Sequence, residues 1–96
     1  MEAEVTLEQF VDESIRRAHA VGYHPTAFMT MWHNDRSPAP IERLVKSGDQ
    51  KSGYKRMVKE GLKDWTLEAA VIKYPDRFSE AAKAGARFIL DTPIDA

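Results

Sequence analysis

Leu7, Phe10, Val11, Ser14, Ala18 and Val21 recur at intervals of three and four residues, which places them on one face of a helix. Directly ahead of that face, Thr6-Leu7-Glu8-Gln9 has the Thr-x-x-Gln form of a capping box, in which Thr6 and Gln9 satisfy each other's free backbone donors. Asp12 with Arg16 and Glu13 with Arg17 set acid before base four residues apart on the outer side. Gly22 supplies the stop. A chain that begins this way has one amphipathic helix to cover, and the segments beyond Gly22 must supply the cover.

The rest of the chain is cut into similar lengths by glycine and proline. Pro25 suits the first turn of a second helix, on which Phe28, Met31 and Trp32 share a face. The same letters alternate, so a strand over 25–33 is also open, but no second strand offers itself for pairing. Asn34 to Pro40 reads as a loop. Ser37 can cap a third helix whose first turn tolerates Pro38 and Pro40, with Ile41, Leu44 and Val45 facing inward. Gly48 ends it, and residues 47–53 turn the chain.

A fourth helix, 51–60, should bury Tyr54, Met57 and Val58 and stop at Gly61. Thr66 or Asp64 caps a fifth, Leu67 to Lys73, which is apolar on nearly every side and therefore central. It breaks at Tyr74, since the residue before Pro75 leaves helical space. The last helix starts near Asp76 or Ser79. It should bury Phe78, Ala81, Ala82, Gly85, Phe88 and Ile89, and its small residues allow another helix to approach closely. Asp91-Thr92-Pro93 closes it. The expectation is one compact all-α domain over 1–96, built of five to six short helices, with a helix-turn-helix-like corner near 51–74 and fraying at 1–5 and 92–96.

Composition narrows the chemistry. Ninety-six residues leave room for one core. The absence of cysteine removes disulfides, thiolate catalysis and cysteine-ligated metal centres, and fits a reducing cytoplasm. The acidic MEAEVTLEQF lacks the basic and apolar regions of a signal peptide, and the run Ala27 to Trp32 is too short to span a bilayer, so a cytoplasmic location and no membrane partner are expected. Serines lack a nucleophile-elbow context and carboxylate pairs such as Asp12/Glu13 sit on a solvated face, so no catalytic residue is named and no enzyme is expected.

GYHPTAFMTMWHND, Gly22 to Asp35, gathers rare residue types. His24, His33 and Asp35 are suitable metal ligands, yet no pair has the spacing that puts two ligands on one helical turn, and no metal or cofactor is assigned. His19 is expected to be exposed, and Phe28, Met31 and Trp32 to be core or an adaptable contact surface. Gly48-x-x-x-x-Gly53 resembles a phosphate-binding loop only in its glycines, because Tyr54 and Lys55 stand where Lys and Ser or Thr are needed.

Net charge is −1, but bases concentrate between Arg43 and Lys63. Lys51, Lys55 and Lys59 lie four apart in a stripe flanked by Arg56 and Lys63, a surface able to contact phosphates without reading sequence. The fifth helix argues against base reading, since it offers Thr66, Glu68 and Ala69 early, and Lys73 only at its end. The leading expectation is a small non-enzymatic protein that binds a macromolecular partner, another protein or a second copy of itself. Nucleic-acid binding through Lys51, Lys55, Arg56, Lys59 and Lys63 is second, and a metal-dependent activity at His24, His33 and Asp35 third.

Overall fold

A computed structural model describes residues 5–47 and 51–92, with the backbone only for Ser47, Lys51 and Ser52. The expected turn at Gly48 and the fraying of 1–4 and 93–96 lie outside the described residues. Among the described residues six α-helices succeed one another: α1 (Leu7–Ala20), α2 (Thr26–Asp35), α3 (Pro38–Ser47), α4 (Lys51–Lys59), α5 (Leu67–Lys73) and α6 (Glu80–Asp91), with 3-10 turns at Lys63–Trp65 and Pro75–Arg77. No strand occurs among them, and the 25–33 segment is a helix from Thr26 on, with Pro25 at its N-cap.

Local chemistry sets the ends. Thr6 Oγ1 accepts the Gln9 N–H at 3.1 Å while Gln9 Oε1 accepts the Thr6 N–H at 3.0 Å, the reciprocal box that starts α1. Past its end, the Gly22 N–H bonds His19 O at 3.0 Å and the Tyr23 N–H bonds Ala18 O at 2.9 Å, with Gly22 at φ +81°. That Schellman pair reappears after α4, where Gly61 at φ +79° donates to Val58 O and Leu62 to Met57 O. Thr66 and Ser79 cap α5 and α6 through the Ala69 and Ala82 N–H groups.

The core joins Leu7, Phe10 and Val11 of α1 to Phe28, Trp32, Ile41, Val45, Ala70, Val71, Phe78, Ala82 and Ala86. α5 lies at its centre and packs chiefly against α6, with α3 and α1 on its other sides. Enclosure of this kind explains a departure from expectation at Glu68, which is wholly buried rather than presented to solvent. The corner at 51–74 differs as well. α4 and α5 are joined through Glu60–Thr66, longer than the three- or four-residue turn of a helix-turn-helix, and α5 is interior rather than displayed.

The buried line runs from Phe78, just ahead of α6, through Ala82 and Ala86, so Phe88 faces out at 73% exposure and Ala81 is exposed. Gly85 does lie against α3: a Cβ there would stand 3.6 Å from Val45 O. The radius of gyration, 12.6 Å, matches one compact body of this length, for which about 12.5 Å is usual. Among the described residues no helix is long and apolar enough to cross a membrane.

Candidate functional site

α4 turns Gly53, Tyr54 and Met57 inward and leaves Lys55 and Lys59, one helical turn apart, exposed; Lys63 is exposed on the 3-10 turn beyond. None of these three lysines has an ion-pair partner among the described residues. Arg56 belongs to the fold instead. Its Nε donates to Glu60 Oε2 at 2.9 Å and its Nη2 to Val21 O at 3.0 Å, and its guanidinium lies 5.8 Å from the Tyr23 ring centre. The side chain of Lys51 lies outside the described residues. The expected stripe thus resolves into three exposed lysines and one arginine committed to the α1–α2 turn.

Several acids of the fold are held by other partners, whereas beside the stripe Glu60 pairs with Arg56 and Asp64 is exposed next to Lys63. Glu42 accepts the Ser79 N–H at 3.1 Å and stands 4.0 Å from Lys46. On α1, Glu8 holds Arg77, and Asp12 holds Arg36 through both oxygens at 2.9 Å. Glu13 holds both Arg16 and Arg17, so the Asp12/Arg16 pair expected from spacing does not form. Asp12 is turned toward α2 because it also accepts the indole N–H of Trp32 at 3.1 Å. Hydrogen bonds from these guanidinium groups hold the Glu8 and Asp12 carboxyls below their usual range, and Arg16 with Arg17 bring Glu13 to about 2.

Beside this surface is an apolar cleft of about 300 Å³ walled by Val11, Ile15, Phe28, Met31, Leu44, Met57, Trp65 and Leu67. His24, Thr26 and Ala27 line it and are exposed, which places its mouth at the α1–α2 turn. Of its polar members, Ser14 and Thr66 are already used, while Tyr23, His24 and Thr26 also line it. Ser14 donates to Phe10 O at 2.9 Å; Thr66 donates to Lys63 O at 2.9 Å and accepts from Ala69. Burial, with the Glu68 and Asp91 charges behind it, pushes the Tyr54 hydroxyl up and keeps it protonated at neutral pH. A cleft lined this way can desolvate an apolar group; it sets up no nucleophile beside a base.

Sequence reasoning missed two parts of this region. Trp65 stacks on Phe10 with ring centres 4.8 Å apart, and the Arg17 guanidinium lies 4.2 Å from the Trp65 ring centre. The signal was present, since a large apolar residue just before an N-cap occupies the staple position. His19 is half-buried rather than exposed, and its ring centre lies 4.5 Å from that of His24. Its Nε2 is 3.3 Å from Met29 Sδ. By contrast His24, His33 and Asp35 do not come together: among the described residues no three of His, Cys, Asp or Glu form a metal-holding group. No protein-family model, curated protein or solved structure matches this chain.

Proposed function

We propose that the protein is a non-enzymatic interaction module whose cleft receives a large apolar side chain from a partner protein. The observation that carries this reading is the cleft itself: about 300 Å³, apolar-walled, open at the α1–α2 turn, and without a reactive pair of side chains. That volume sits at the lower end of the range for small-molecule sites and suits a single anchor of the kind that dominates protein interfaces. Selection from a random twelve-residue peptide display library tests it. Enriched peptides should share an aromatic or long aliphatic anchor and should lose binding at least about tenfold to Ala27→Trp, which narrows the mouth from an exposed position. Peptides without such an anchor, or equal binding to Ala27→Trp, would overturn it.

The second reading is phosphate contact through Lys55, Lys59 and Lys63, favoured by their lack of carboxylate partners among the described residues. With three cations engaged, the logarithmic salt dependence of duplex binding should be no steeper than about −3. No binding to a short duplex at low salt removes it.

A further inference from the structure

α1 carries His19 in its last turn, the Schellman turn at Gly22 reverses the chain, His24 comes next, and α2 brings Met29 back alongside. The result is two imidazole rings with centres 4.5 Å apart and a thioether sulfur 3.3 Å from one ring nitrogen. His24 is exposed, and His19 and Met29 are half-buried, so solvent reaches the group. We propose that His19, His24 and Met29 form a binding site for copper(I).

The two separations, His19 to Met29 and His19 to His24, are each compatible with a shared ion. With metal–nitrogen and metal–sulfur bonds of about 2.0 and 2.3 Å, a separation of 3.3 Å between Nε2 and Sδ corresponds to an angle of about 100° at the metal. Two imidazoles bound to one ion at about 90–120° have ring centres about 4.5–5.5 Å apart, and the observed 4.5 Å falls at the near end. A His19 N–H pointing at Met29 Sδ would have only a weak acceptor. With its proton on Nδ1, the neutral ring offers Nε2 as a lone pair beside the sulfur.

The donor set selects the ion. Two neutral imidazoles and a thioether are soft to intermediate ligands, the type that favours copper(I); among the described residues no carboxylate or thiolate joins them to hold zinc, calcium or magnesium.

An anaerobic titration of the full chain with copper(I) against the chromophoric chelator bicinchoninate tests the site. One ion per chain should be drawn from the chelator, and the Met29 methyl resonance should move while those of Met31 and Met57 stay. Met29→Leu and His24→Ala, conservative or at an exposed position, should each weaken uptake at least about tenfold, and His33→Ala should not. Failure to compete with the chelator, uptake unchanged in Met29→Leu, or displacement by equimolar zinc would each overturn the proposal. None of these readouts depends on the apolar cleft having a partner.

Discussion

Asp12 shows how much one side chain can tie together. It accepts the indole N–H of Trp32, a residue with no exposed surface, and grips Arg36 with both oxygens. Arg36 needs the grip, because it closes α2 at φ +46°, a left-handed conformation that costs a non-glycine residue about 1–2 kcal/mol. Asp12→Ala should therefore destabilise the fold by about 1–3 kcal/mol, mainly by leaving the indole donor without an acceptor. Asp12→Asn keeps an oxygen for the indole but loses the charge and one acceptor of a half-exposed pair, so its loss should stay smaller, below about 1 kcal/mol. Urea unfolding of the two variants checks this, and equal losses would show that the charge, not the indole bond, matters. None of it was legible in the sequence. Four-residue spacing paired Asp12 with Arg16, a local rule that carries no information about an arginine in the left-handed position at the end of the next helix. The expected burial of Phe88 fails for a related reason. The α6 face is narrow, and the small residues Ala82 and Ala86 carry it, so a phenylalanine two positions beyond Ala86 falls on the solvent side.

At the level of the helix, sequence and structure agree where hydrogen bonding is local. The capping box at Thr6, the Thr66 and Ser79 caps and the glycine stops at positions 22 and 61 all depend on residues within six positions of one another, so their chemistry is written in the chain. The burial of Glu68 and the assembly of His19, His24 and Met29 depend on how helices meet, and no local pattern encodes that. The glycines separate the two kinds of information. Gly22→Ala must place a Cβ in a left-handed turn and should cost about 1 kcal/mol or more. Gly85→Ala keeps helical backbone and meets Val45 O at 3.6 Å, ordinary contact, so helix propensity should make it neutral or stabilising by up to about 1 kcal/mol. Thermal melts that fall by the same amount for both would contradict the assignment of these roles.

Across the whole molecule, some charges are paired and others are not, and Lys46 and Lys83 are among the paired ones, with Glu42 and Glu80. Arg16, Arg17, Arg36, Arg56 and Arg77 are held by carboxylates, and two of these links fasten distant parts: Arg77 to Glu8 across sixty-nine positions and Arg36 to Asp12 across twenty-four. Planar guanidinium groups suit such two-point contacts, whereas Lys55, Lys59 and Lys63 remain exposed to a partner. The division has a pH consequence. Glu8, Asp12, Glu13 and Glu80 all have carboxyls held below their ordinary values by arginine or lysine hydrogen bonds. A depressed folded-state value means the unfolded chain takes up protons first as pH falls, so these links contribute fully above the ordinary carboxylate range and are lost on acidification through it. The urea midpoint should hold from pH 7 to about 5 and then fall continuously toward pH 2, where Glu13 protonates in the folded chain. Because the pairs are at the surface, molar salt should flatten that acid limb while leaving the core contribution in place. A midpoint that stays level from pH 5 to pH 2, or one whose acid limb is indifferent to salt, would mean that apolar packing around α5 alone holds the helices in register.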